Sequence, residues 1–262
     1  MTAPTLAHTA PVGSADAPLL LLGPSLGTST ILWERVIPVL ARSHRVVAWD
    51  LPGHGASPAS TSPFTVADLA DAVADLARGL SDGPVRYAGV SLGGATGLEL
   101  TLRHPDLVEA TAAVASGALL GDPDSWRARA AQVRAQSTSA LITASAGRWF
   151  APDSLAREPE LTGRLLHALQ DADDESYAAC CEALAAYDVR DRLGEIATPV
   201  LAMWGEFDQV APEAKADEIA RGVRRGRSIR VSDAAHLPPA EQPAAVATAL
   251  DDFFRRIDEE AA

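Results

Sequence analysis

Gly89-Val90-Ser91-Leu92-Gly93 is the stretch on which the fold of this chain turns. It closes a short apolar run, Arg86–Val90, and opens a helical pattern that begins Gly94-Ala95 and stops near Arg103, ahead of His104-Pro105. A serine placed on so sharp a strand-to-helix turn is pushed out of the backbone, and its neighbours must be small for the two segments to approach. Gly89, Gly93 and Gly94 meet that demand. The helix N-terminus behind Ser91 adds the positive end of a dipole, which favours an anion at that spot.

Working outward, apolar runs recur at Pro18–Gly23, Arg45–Asp50, Glu109–Ala115, Val200–Gly205 and Arg227–Ser232. They are continuous rather than alternating, as strands buried on both faces require, and helical patterns separate them. The predicted fold is therefore α/β, a mostly parallel central sheet flanked by helices. Thr5–Ala10 is expected to add an edge strand. Thr65–Leu80 reads as a helix opened by Thr65 and Asp68, with Leu69, Val73, Leu76 and Leu80 on one face. Pro243–Arg256 reads as the last helix, packing Val246, Leu250 and Phe253. Residues 119–188 break the rhythm: they are largely helical and too long for a crossover, so they read as an inserted lid or cap. The core is then 1–118 together with 189–262.

Ser91 needs a base. Of six histidines, His8, His44, His104 and His167 sit where structural or solvated roles suffice. His54 lies in the loop Asp50-Leu51-Pro52-Gly53-His54-Gly55, upstream of the serine. His236 lies between the last strand and the last helix, and the chain order serine, acid, histidine selects it, leaving His54 as a loop-shaping alternative. Asp208, just after the strand that ends at Gly205, is the natural acid; Glu206 competes, and Asp122 and Asp124 are more distant candidates. A tetrahedral oxyanion would need backbone donors. Leu92 supplies one, and Leu26 in Gly23-Pro24-Ser25-Leu26-Gly27-Thr28 is expected to supply the other, since Pro24 has no N–H.

The chain has 262 residues, 47% of them hydrophobic, which is enough for a full core without staples. Its 22 basic and 35 acidic residues give a net charge of −13. That argues against nucleic acid and against an anionic membrane surface. The only cysteines, Cys180 and Cys181, are adjacent, so a disulfide framework is excluded and a buried helix explains them. Residues 1–17 lack a basic and apolar leader pattern, so a cytoplasmic protein is expected. There is no dinucleotide turn, no phosphate loop and no metal-ligand spacing, so neither cofactor nor metal is implied. A homo-oligomer is compatible with the chain.

These residues, in this order, resemble the α/β-hydrolase superfamily over essentially the whole chain. Within it the chain is most similar to 3-oxoadipate enol-lactonases. The marks are Pro24-Ser25-Leu26-Gly27-Thr28, Arg148-Trp149-Phe150, and Tyr177-Ala178-Ala179-Cys180-Cys181-Glu182-Ala183 leading to Tyr187-Asp188-Val189-Arg190. Pro24 stands where that family often has Asn, and Pro52 where Arg is common. The resemblance implies a serine hydrolase that opens a small carboxylate-bearing enol-lactone through an acyl-enzyme. In a protein of this net charge the substrate carboxylate calls for a cation in the pocket. Arg127, Arg129, Arg134 and Arg148 stand in the lid, with Arg134 and Arg148 favoured, and Trp126 and Trp149 expected as pocket walls. Other readings of the same residues are an esterase or different lactonase, a carbon–carbon hydrolase, a perhydrolase of the haloperoxidase kind, and a binding protein or cyclase.

Overall fold

The computed structural model describes residues 4–261; Met1 to Ala3 and Ala262 lie outside it. Six strands form one sheet: β1 (Leu19–Gly23), β2 (Arg45–Ala48), β3 (Val85–Val90), β4 (Val108–Val114), β5 (Val200–Gly205) and β6 (Gly226–Val231). Their order across the sheet is β2-β1-β3-β4-β5-β6, and every pairing is parallel. β1 and β3, in the middle, are buried along their whole length. Their continuous apolar runs reflect this, because both faces are covered by helices.

The predicted edge strand at Thr5–Ala10 does not form. The segment instead runs antiparallel beside β2 and touches it at two isolated bridges, His8 with Trp49 and Val12 with Val46. Pro11 between them has no N–H to donate, so the ladder cannot continue from one bridge to the next.

The elements that carry the site are helices α1 (Val66–Leu80) and α2 (Leu92–Arg103) and, between β4 and β5, α3 (Pro123–Gln136), α4 (Ile142–Trp149), α5 (Pro159–Asp171) and α6 (Asp174–Ala185). Then follow α7 (Glu213–Gly222) and α8 (Pro243–Ala261), the latter longer than the apolar pattern alone predicted. α1 begins with a reciprocal cap, in which Thr65 Oγ1 accepts from the Asp68 N–H while the Asp68 carboxylate accepts from the Thr65 N–H. That satisfies two of the donors a helix start leaves unpaired.

At the end of the sheet away from Ser91, the Arg86 guanidinium is buried and donates to Glu109, Asp258 and the Nε2 of His44. His44 is thereby a structural acceptor. Cys180 and Cys181 are buried on α6 and unbridged. No helix among the described residues is long and apolar enough to cross a membrane.

Candidate active site

Ser91 sits between β3 and α2 with φ 54° and ψ −114°, a backbone conformation that side-chain-bearing residues rarely adopt. Strain of this kind persists only where its surroundings over-determine it. Here the Ser91 N–H donates to the Val114 carbonyl at 2.9 Å, and the Ser91 carbonyl accepts from Ser116 Oγ at 2.8 Å and from the Ala95 N–H at 2.9 Å. The turn also demands close approach. A Cβ on Gly89 would lie 2.3 Å from the Gly93 carbonyl carbon and oxygen, which are backbone and cannot move aside. Gly89→Ala is therefore expected to destabilise the fold by at least ~1–3 kcal/mol, the usual cost of overpacking. A lowered urea midpoint with an unchanged slope checks this, and a midpoint matching the wild type would refute the close approach.

His236 is buried in the loop after β6, and its Nδ1 lies 3.0 Å from Oδ2 of Asp208. The other oxygen of Asp208 accepts from the Val210 and Ala211 N–H groups at 2.8 and 3.0 Å. Burial alone would raise this carboxyl, but the His236 interaction and the two N–H donors outweigh it and hold its pKa below the usual carboxylate range. Asp208 is therefore anionic at neutral pH and fixes the imidazole with Nδ1–H toward it.

The competing acids hold other partners, although Asp122 also lines the cavity that Ser91 shares with His236. Glu206 accepts from the Asp233 N–H and faces Arg230. Asp122 caps α3 through the Ser125 N–H, and Asp124 pairs with Arg127 on the surface. His54 is not beside Ser91; its ring lies beneath the loop that carries Leu26.

Ser91 and His236 open into one cavity of about 300 Å³, walled by Leu26, Trp126, Trp149 and Tyr177. Leu92 is the first residue of α2, so its N–H has no preceding carbonyl of the helix to bond. Among the described residues the Leu26 N–H has no acceptor either. The neighbouring Pro24 carbonyl is occupied by the Gly93 N–H at 3.0 Å, which locks the Leu26 loop to the start of α2.

The arginines divide differently from expectation. Arg148 does line the cavity, but Arg134 does not. Arg134 is clamped by Glu175 and Glu182 on α6, at 2.6 and 2.5 Å, which neutralises its charge on the outer side of the helix pair. Its place is taken by Arg129, one of the four lid arginines weighed from sequence but not favoured there. The Arg129 guanidinium stacks 5.1 Å from the centre of the Trp126 ring. Among the described residues neither Arg129 nor Arg148 has a carboxylate partner. Arg148 Nε donates to the Ala144 carbonyl at 3.2 Å, and burial, then the charge of Arg129, push the Arg148 pKa down.

One residue that the sequence reading missed binds the cap to the histidine loop. Glu241 Oε1 accepts from the Ala151 N–H and Ser154 Oγ, at 2.6 and 2.8 Å, while Oε2 accepts from the Ala235 N–H at 2.7 Å. The Leu237 N–H adds a bond to the Trp149 carbonyl at 3.3 Å. A charge two residues after the Pro238-Pro239 pair at a helix start gives no hint of partners some 90 residues away.

The fold and this geometry define the class. The alpha/beta hydrolase fold family matches residues 18–243, and the chain belongs to it. Within that family it is an ester-hydrolysing enzyme. It is 32% identical to 3-oxoadipate enol-lactonase 2 of Acinetobacter baylyi over 246 residues, 94% of this chain and 92% of that one. The enol-lactonase from Burkholderia xenovorans LB400 superposes with a TM-score of 0.92 at 32% identity, covering 95% of this chain and 96% of that one. A pimeloyl-[acyl-carrier protein] methyl ester esterase of Neisseria meningitidis is also 32% identical, over 89% of this chain and 76% of its own length.

Proposed function

We propose that the enzyme opens 3-oxoadipate enol-lactone to 3-oxoadipate through an acyl-enzyme on Ser91. The observation that carries this reading is the pair of guanidiniums, Arg129 and Arg148, that line the cavity shared by Ser91 and His236 and have no carboxylate ion-pair partner among the described residues. A neutral ester gives no reason to hold two cations without ion-pair partners in a half-buried wall. A small carboxylate does, because charge-assisted bonds from guanidinium are directional and strong.

The chemistry follows from the geometry. His236 Nε2 takes the proton as Ser91 Oγ attacks the lactone carbonyl, and Asp208 stabilises the imidazolium through Nδ1–H. The Leu26 and Leu92 N–H groups receive the developing oxyanion. Collapse breaks the ring C–O bond; the leaving enolate takes the proton held by His236 and becomes the ketone, still tethered through the acyl group, which returns His236 to its neutral form. Water, deprotonated by His236, then attacks the acyl-serine, and Ser91 recovers its proton as 3-oxoadipate leaves. Because an enolate is a good leaving group, positioning and oxyanion stabilisation carry most of the demand.

The test follows loss of lactone absorbance beside hydrolysis of 4-nitrophenyl acetate. Replacing Arg129 or Arg148 by Met is expected to lower kcat/KM for the lactone by ~10–100-fold, since a hydrogen bond to a charged group contributes about 1.5–3 kcal/mol. The loss should lie mainly in KM, with the neutral ester changed less than about threefold. Cleavage of the ester without opening of the lactone would sink the substrate assignment.

A further inference from the structure

His54 takes no part in the proton transfers above, yet it is buried, with only 1% of its surface exposed, next to the loop expected to donate to the oxyanion. Its two ring nitrogens have unlike partners. Nε2 faces the Gly27 N–H at 3.2 Å, and Nδ1 faces the Pro52 carbonyl at 2.8 Å. An N–H can only be met by an acceptor and a carbonyl only by a donor, so the ring must be neutral, with its proton on Nδ1. One face of the ring lies 6.0 Å, centre to centre and nearly parallel, from Tyr177 of α6, a wall of the cavity. Gly27, with φ 80°, follows Leu26 directly. The Gly27 N–H points at His54, while the Leu26 N–H beside it stays free for the cavity.

We infer that His54 is a positioning residue: by accepting the Gly27 N–H through Nε2 it fixes the Leu26–Gly27 peptide, and with it the turn that aims the preceding Leu26 N–H at the oxyanion. A protonated ring, or the other tautomer, would set N–H against N–H and release the loop. Burial guards against this, pushing the His54 pKa down to about 4 against the weaker opposing pull of the Pro52 carbonyl and Asp173. The stacked Tyr177 and the bond from the Asp173 N–H to the Gly53 carbonyl, at 2.8 Å, hold the ring from the cap side. The device therefore joins cap and oxyanion loop through one imidazole. It rests on the serine mechanism proposed above, so its test includes a reading that needs no chemistry at Ser91.

That reading is the nitrogen-15 spectrum of the His54 ring in the ligand-free enzyme, expected to show a protonated Nδ1 and a bare Nε2 from pH 8 down to pH 5. A proton on Nε2, or a cationic ring at pH 6, overturns the proposal whatever Ser91 does. The functional arm compares His54→Leu, which has no acceptor, with His54→Gln, whose amide oxygen can stand where Nε2 stands. With 4-nitrophenyl acetate, His54→Leu should lose roughly 10- to 100-fold in kcat with KM nearly unchanged, somewhat less than the ~10²–10³ that removal of an oxyanion donor costs. Its affinity for phenylboronic acid, which forms a tetrahedral adduct on serine, should fall in the same proportion, while benzoate binding stays within about twofold. His54→Gln should recover most of both. Equal losses for boronate and benzoate in His54→Leu, or no recovery in a folded His54→Gln, would show a packing role only. If Ser91→Ala left wild-type ester hydrolysis intact, the serine mechanism would fail while the ring spectrum still stood.

Discussion

Replacing Ser91 by alanine is expected to lower kcat for lactone and ester alike by about 10⁴–10⁶-fold, the range found when the nucleophile of a serine triad is removed. The fold should survive the change. The bonds that hold the strained turn are made by the Ser91 backbone N–H and carbonyl, with Val114, Ser116 and Ala95, and alanine keeps all of them. Folding stability within about 1 kcal/mol of the wild type, with product still bound, would assign the loss to chemistry, as expected for a substitution outside the short list of disruptive mechanisms. Turnover that persisted in a purified variant would place the nucleophile on another residue.

Asp208→Asn carries the second large effect. The carboxylate accepts the Nδ1–H of His236 and receives two backbone N–H donors, so it sets both the tautomer and the tilt of the ring. An amide can present its N–H₂ to the ring and stabilise the wrong tautomer, with the proton on Nε2, where the serine proton must go. A fall of about 10⁴-fold in kcat is expected, with KM little changed. The pH dependence of stability should change as well. Asp208 has a depressed pKa when folded, so its contribution is complete above the unfolded carboxylate value near ~3.9 and is lost as pH falls through the folded value. Urea titrations between pH 6 and pH 3 should show a shallower acid loss in Asp208→Asn than in the wild type. Equal slopes would mean that the histidine contact does not perturb the acid.

The elbow was legible because everything it needs is local: a strand, small residues, a serine and a helix start within a few positions. The meeting of Asp208 with His236 was legible for a similar reason, each standing after a strand whose apolar run is plain. Residues 119–188 were legible as helical, and Trp126, Trp149 and Arg148 as cavity lining, but the choice between Arg129 and Arg134 was not. Arg129 and Arg134 lie on the same helix with similar neighbours in sequence, and what separates them is α6, whose Glu175 and Glu182 neutralise one and miss the other. Those partners are 41 and 48 residues away, beyond any pattern a single helix carries. His54 was placed correctly in a loop, but which atoms its nitrogens meet depends on how two distant turns stack. At Thr5–Ala10 a β-like composition was outweighed by one missing donor at Pro11.

The contacts of Glu241, the bond from Leu237 to Trp149 and the bond from Asp173 to Gly53 pin the cap at both of its flanks, on the histidine side and on the His54 side. A roof fastened in this way behaves as a vault rather than a flap. The cavity beneath it is lined jointly by residues of that roof and by Gln209 and Val210, so ligand exchange is expected not to require a hinge motion.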